Sequence, residues 1–105
     1  MTNKPLRILM GKLSALSQGK GIEKQVMARK YAVFNDNGTL FGIEGECKHM
    51  RASLSGGGVR DGVLTCRWHG WQYKLSDGEC ITVQGFRLKK YDVEIVDDDI
   101  YLLIP

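Results

Sequence analysis

The side chains best suited to hold a metal fall in two short stretches. Gly45-Glu46-Cys47-Lys48-His49-Met50 places a thiol and an imidazole two positions apart, and Cys66-Arg67-Trp68-His69-Gly70 places a second pair three apart, with 16 residues between His49 and Cys66. Both histidines of the chain are used in this way. Thiolates with imidazoles suit zinc, copper or iron–sulfur chemistry and do not suit magnesium or calcium, which take oxygen ligands. Structural zinc commonly draws close cysteines from one arm and histidines from the other. Here each arm supplies one sulfur and one nitrogen. Such mixed arms suit two inequivalent metals side by side, the cysteines reaching inward to one and the histidines capping the other. On spacing alone, zinc stays open as the alternative.

Loops of this kind need a rigid frame. Apolar residues recur at short range, rich in Val, Ile, Tyr and Phe, with turn signals about every ten residues, a strand rhythm. The pattern predicts strands at 6–10, 22–27, 29–34, 39–44, 63–66, 71–75, 79–83, 91–96 and 99–104. Turns are predicted at Asp36-Asn37-Gly38, Asp61-Gly62, Ser76-Asp77-Gly78 and Asp97-Asp98, where the residue types tolerate positive φ. Helix has room only around Lys12 to Leu16. The fold class is therefore all-β, an antiparallel sandwich or barrel of about nine to ten short strands. Two connections interrupt it, about 45–58 and 66–73, and each carries one Cys/His pair. A length of 105 residues fits a single domain, 1–105, with a modest core and no second catalytic domain.

Lys and Arg number 15 against 12 Asp and Glu, a net charge of +3 that does not suggest a nucleic-acid binder. The imbalance is local, since residues 1–30 hold seven bases and one acid, and it reads as a solvated edge. The run Ile8-Leu9-Met10 is far too short for a secretory signal, and no stretch approaches a membrane span. Three cysteines without framework spacing agree with a reducing compartment. A cytoplasmic protein with no membrane association is expected.

The two pairs resemble the signature of the Rieske family. C-x-H, a gap of sixteen and C-x-x-H-G are followed by Arg51-Ala52-Ser53-Leu54-Ser55-Gly56-Gly57 after the first pair and Trp71-Gln72-Tyr73 after the second. The resemblance covers residues 45–75 specifically and implies a Rieske-like β scaffold with a two-loop cluster-binding subdomain. It implies one [2Fe–2S] cluster per chain, with Cys47 and Cys66 on the buried iron and His49 and His69 on the outer iron. Where the family often has proline after each cysteine, Lys48 and Arg67 stand here. High-potential members add a cysteine to each loop and cross-link them; Ala52 and Trp68 occupy those positions, so no such disulfide can form. Those members also carry a serine where Trp71 stands and a tyrosine where Tyr73 stands. Losing the serine donor places the expected potential towards the low end of the roughly −150 to +300 mV span of Rieske centres, with Tyr73 recovering part of the shift.

What the resemblance implies is a soluble, monomeric one-electron carrier of the ferredoxin type, not an enzyme by itself. It would receive electrons from a flavin-dependent ferredoxin reductase and pass them to a terminal oxygenase of the aromatic-ring-hydroxylating type. The Trp-Gln-Tyr run also resembles oxygenase large subunits, but those need a second iron site, and no histidine remains to build it. The alternatives are a Rieske small subunit of a larger reductase and a zinc-binding interaction domain. Around the ligands, Gly70 allows close chain approach, Tyr73 is a candidate donor, and Trp68 could shield the cluster or meet a partner. Lys48, Arg51 and Arg67 are expected to ring the exposed histidines and steer an acidic partner. Cys80 reads as a small buried apolar residue and Asp97 to Asp99 as a hairpin turn.

Overall fold

Two-residue turns organise the chain into hairpins. In the computed structural model, which describes residues 6–49 and 51–105, Asn37 and Gly38 both adopt positive φ, as do Asp61 and Gly62. Those are the conformations that a tight hairpin with right-handed strand twist demands. Lys4, part of the basic N-terminal stretch, and Met50 lie outside the described residues. The strands are β1 (Leu6–Lys12), β2 (Gly21–Val26), β3 (Arg29–Asp36), β4 (Thr39–Glu44), β5 (Gly58–Arg60), β6 (Val63–Thr65), β7 (Gln72–Lys74), β8 (Lys90–Val96) and β9 (Asp99–Ile104). All pairings between them are antiparallel. A six-stranded sheet runs β1-β9-β8-β4-β3-β2, and a three-stranded sheet runs β5-β6-β7. The larger sheet curls until its edges approach, with Lys24 Nζ on β2 donating to the Leu9 carbonyl on β1 at 3.1 Å. It is a nearly closed barrel.

β3 explains how one domain carries two cores. Its run Tyr31-Ala32-Val33-Phe34 is buried on both faces, as an uninterrupted apolar stretch requires. Tyr31 and Val33 join Ile8, Met10, Leu16, Tyr91, Ile100 and Leu102 inside the barrel. Ala32 and Phe34 face outward and join Leu54, Leu64, Tyr73, Leu75 and Leu88 beneath the small sheet, in the cluster that also holds Cys47, Cys66 and Cys80. The Gly62 N–H donates to Asp36 Oδ2 at 2.7 Å, tying the β5–β6 hairpin to the β3–β4 hairpin. Both Cys/His loops therefore rest on the layer between the barrel and the small sheet.

Three expectations change. The run predicted as a strand at 79–83 is not one: Glu79 and Cys80 form only isolated bridges to Arg87 and Tyr73. Gly78 and Gly85, at φ 80° and 99°, turn the chain back on itself, so Ile81-Thr82-Val83 forms no continuous ladder, and only the Ile81 N–H reaches β7, donating to the Gln72 carbonyl at 2.8 Å. Thr82 serves as an acceptor, taking the Gln72 N–H at 2.8 Å. β5 went unpredicted because glycines hide its pattern, and the room for helix near Lys12 holds only a three-residue 3-10 turn, Leu13–Ala15. That turn is held by Asp98, whose carboxylate accepts from the Ser14 N–H at 2.9 Å and its hydroxyl at 2.6 Å, giving the predicted hairpin turn a structural task.

Gly78 sits where a side chain has no room. A Cβ there would lie 2.1 Å from the Leu88 carbonyl oxygen, and the residue is at positive φ. Gly78→Ala is expected to destabilise the fold by about 2–4 kcal/mol, the clash adding to the backbone strain. Urea denaturation of the two proteins measures it.

Candidate metal centre

The two loops close in the same way. In the first, the Cys47 N–H donates to the Ala52 carbonyl and the Cys47 carbonyl accepts from the Arg51 N–H, both at 2.8 Å. In the second, the Cys66 N–H donates to the Trp71 carbonyl at 2.7 Å and the Cys66 carbonyl accepts from the Gly70 N–H at 3.0 Å. The residue four positions after each cysteine adopts left-handed backbone, Arg51 at φ 57° and Gly70 at φ 73°. Gly70 pays no steric penalty for that conformation, whereas at Arg51 it costs on the order of 1 kcal/mol. Arg51 was expected as a surface charge; its backbone role was legible only through its likeness in position to Gly70.

This closure sets sulfur inside and nitrogen outside. Cys47 and Cys66 are each 2% exposed, while His49 and His69 are exposed, their rings edge to face with centroids 4.6 Å apart. Burial raises the Cys66 thiol above its ordinary value, and the nearby Cys47 thiol adds to the rise; the backbone N–H groups of Trp68 and His69 pull it down. Tyr73 is fully buried and its hydroxyl lies 3.2 Å from Cys47 Sγ. The Lys48 N–H donates to the same oxygen at 3.0 Å, which leaves the phenolic proton free to point at the sulfur. Burial, then the contact with Cys47, raise the hydroxyl far above its ordinary value, so it remains a donor. No disulfide links the loops, and Cys80 is a buried free thiol, as expected.

The first loop is anchored to the barrel by a polar cluster that spacing did not reveal. Glu23 on β2 accepts from the hydroxyls of Ser53 at 3.2 Å and Ser55 at 2.5 Å, and Lys30 Nζ on β3 donates to Ser53 Oγ at 2.9 Å. The expected ring of free charge is largely paired within the chain. Lys48 meets Glu44 at 3.1 Å and Arg51 meets Glu46 at 3.6 Å. Among the described residues Arg67 has no carboxylate partner and lies 5.8 Å from the centre of the Trp68 ring. Trp68 is 63% exposed, so it faces solvent and shields little. The ring that covers a histidine is Trp71, stacked on His49 at 4.7 Å and 17° and touching Phe86 at 5.5 Å. Its signal in the sequence was an aromatic two places after the second histidine.

A buried pair of thiols behind an exposed pair of imidazoles, on an antiparallel β scaffold, defines a class of small iron–sulfur protein. The sequence matches the model of the Rieske [2Fe-2S] domain over residues 7–92, and the chain belongs to the Rieske family. The family's cofactor is a single [2Fe–2S] cluster. A Rieske 2Fe-2S iron-sulfur protein of Mycobacterium tuberculosis is 48% identical over 48 residues, 45% of this chain and 9% of that protein. The matched stretch is thus a small part of the curated relative. Among solved structures, the ferredoxin of carbazole 1,9a-dioxygenase from Nocardioides aromaticivorans superposes with TM-score 0.79 at 21% identity, covering 98% of this chain and 99% of that one. A protein described as an NADH-dependent nitrite reductase small subunit of Mycobacterium tuberculosis gives 0.86 at 16% identity, covering 98% of each. At these identities the likeness is one of fold.

Removing the Glu23 carboxylate strands two serine hydroxyls and the Lys30 ammonium. Glu23→Ala is expected to destabilise the protein by about 1–2 kcal/mol. Hydrogen exchange should show faster amide exchange at Cys47 and Leu54, with the β8–β9 amides unchanged.

Proposed function

We propose that this chain is a one-electron carrier in which Cys47 and Cys66 hold the inner iron and His49 and His69 the outer iron of the cluster. The observation that carries the reading is the arrangement of four donors, two thiols buried together directly behind two exposed imidazoles. The donors fit the group: soft sulfur lies on the protein side and nitrogen lies on the solvent side. When bound, the cluster accepts and releases a single electron. The chain's own part is to exclude water from the sulfurs, to donate from Tyr73 and the loop amides, and to bring His49 and His69 to the surface where a partner can approach.

Residues 1–105 act in this reading as a single domain without a substrate of its own, and so not as an enzyme by itself. Electrons come from a flavin-dependent reductase and leave through His49 or His69 to a terminal oxygenase. The likeness to a dioxygenase ferredoxin supports that partner class, and three free thiols support a cytoplasmic location. Among the described residues no helix is long and apolar enough to cross a membrane. A second reading is a Rieske small subunit held in a larger reductase, which the likeness to a nitrite reductase small subunit favours. Stoichiometric co-purification with a large partner selects the second reading; a monomer in gel filtration selects the first.

Visible absorption, iron and acid-labile sulfide analysis, and low-temperature EPR of the dithionite-reduced protein test both readings against zinc. Two irons with two labile sulfides and a rhombic signal of average g below two are expected. Colourless, folded protein with one zinc per chain would overturn the electron-carrier account. Cys66→Ser should abolish the signal, and Cys80→Ser should retain it.

Tyr73→Phe removes a donor to Cys47 Sγ without emptying the core. A donor to sulfur favours the more negative reduced state, so its loss lowers the midpoint potential. One hydrogen bond of about 1–1.5 kcal/mol corresponds to about 40–65 mV for a single electron. Protein-film voltammetry of the variant measures the drop; an unchanged potential would exclude Tyr73 as a tuning group.

A further inference from the structure

An open groove with a volume of about 720 Å³ runs along the barrel flank beside the first metal loop. Six basic side chains line it, Arg29, Lys30, Lys48, Arg87, Lys89 and Lys90, against the acids Glu44, Glu46 and Asp77. Each of the three acids is already committed within the chain. Glu44 accepts from the Lys89 N–H at 2.6 Å and pairs with Lys48 at 3.1 Å, Glu46 pairs with Arg51 at 3.6 Å, and Asp77 accepts from the Glu79 N–H at 2.9 Å. The cations are less fully engaged. Among the described residues Arg29, Lys89 and Lys90 have no carboxylate partner; Lys89 Nζ lies 5.7 Å from the Tyr91 ring centre, and Lys90 Nζ donates to the Ser76 carbonyl at 2.7 Å. Tyr31 and Tyr91, edge to face at 5.4 Å and both largely buried, close the floor of the groove.

From these contacts we infer that the groove seats an extended, carboxylate-rich segment of the electron-transfer partner. Arg29, Lys89 and Lys90 offer several separate positive charges without carboxylate partners, which a segment carrying several carboxylates can meet together. Lys48 lies in the groove and is the neighbour of both Cys47 and His49, so a segment bound there brings its bearer against the exposed imidazoles. The partner's identity rests on the electron-carrier reading above, whereas the groove's preference for carboxylates does not.

Fluorescence anisotropy with fluorescein-labelled hexaglutamate at low ionic strength tests the inference on the cluster-loaded protein. Arg29→Glu/Lys89→Glu is expected to weaken binding about tenfold or more, two attractions becoming repulsions. The charge-matched control Lys20→Glu/Arg60→Glu lies outside the groove and should weaken it under about twofold. The milder Lys89→Gln should shift affinity in the same direction as the double groove variant by a smaller factor. Equal losses in groove and control variants would show attraction to net charge alone and overturn the inference. Displacement of the peptide by inorganic pyrophosphate at lower concentration than by unlabelled hexaglutamate would also overturn it, in favour of a phosphate site. EPR on the same samples separates the two readings: a missing cluster signal sinks the carrier, and a missing groove dependence sinks the docking site.

Discussion

Everything at the tip of this protein depends on how a loop can bury a cysteine without burying unpaired backbone. A buried N–H or carbonyl left without a partner costs as much as a lost hydrogen bond, so a thiol can enter the core only if its own peptide groups are satisfied locally. Each loop solves this with two bonds, from the cysteine N–H to the carbonyl five residues on and to the cysteine carbonyl from the N–H four residues on. The chain must then turn sharply through left-handed backbone, at Arg51 in one loop and Gly70 in the other. The histidine falls inside the turn, on its solvent side. Sulfur in and nitrogen out is thus a consequence of backbone closure, repeated in two loops of different sequence.

The same closure links the site to the scaffold. Cys66 follows directly on β6 and Trp71 directly precedes β7, so the second loop is a continuation of the β6–β7 pair. The first loop has a longer path between β4 and β5, and it needs the Glu23, Ser53, Ser55 and Lys30 cluster to fix it to the barrel. Tyr73 then joins the two loops from beneath, rising from β7 in the second to touch Cys47 and Lys48 in the first. One side chain in the shared core therefore senses the geometry of both. A buried, protonated phenol beside a sulfur favours added negative charge there, which is the electrostatic requirement for taking up an electron.

Most of this was legible in the sequence where local chemistry decides the outcome. Asn37-Gly38 and Asp61-Gly62 marked hairpins because only a few residue types adopt their backbone, and the Cys/His spacing marked the two thiols and two imidazoles that the loops bring together. The reading went astray where tertiary contacts override local preference. Ile81-Thr82-Val83 has strand composition, but between the turns at Gly78 and Gly85 it meets β7 only through isolated contacts at Gln72, and β5 is a strand through pairing alone. Lys48 and Arg51 read as charges ringing the histidines, and no one-dimensional pattern shows that Glu44 and Glu46 fold back to meet them. The stacking of Trp71 on His49 was likewise invisible, since it depends on two loops meeting in space.

Pairing those charges within the chain changes how the protein can meet another. Around the histidines the exposed surface is aromatic, with Trp68 at 63% and Phe86 at 41% exposure and Trp71 between Phe86 and His49. Unneutralised positive charge lies at Arg67 beside Trp68 and, to the side, along the groove of Arg29, Lys89 and Lys90. The two surfaces act over different ranges. Charge attracts across about 8–10 Å at physiological salt and can orient an approaching molecule, while aromatic contact works only once water has been displaced. A carrier of the kind proposed, releasing each partner after one electron, would gain from this separation. Long-range attraction speeds encounter without adding a buried ion pair that would slow departure, and a small apolar contact at the imidazoles keeps donor and acceptor close while remaining weak enough to break.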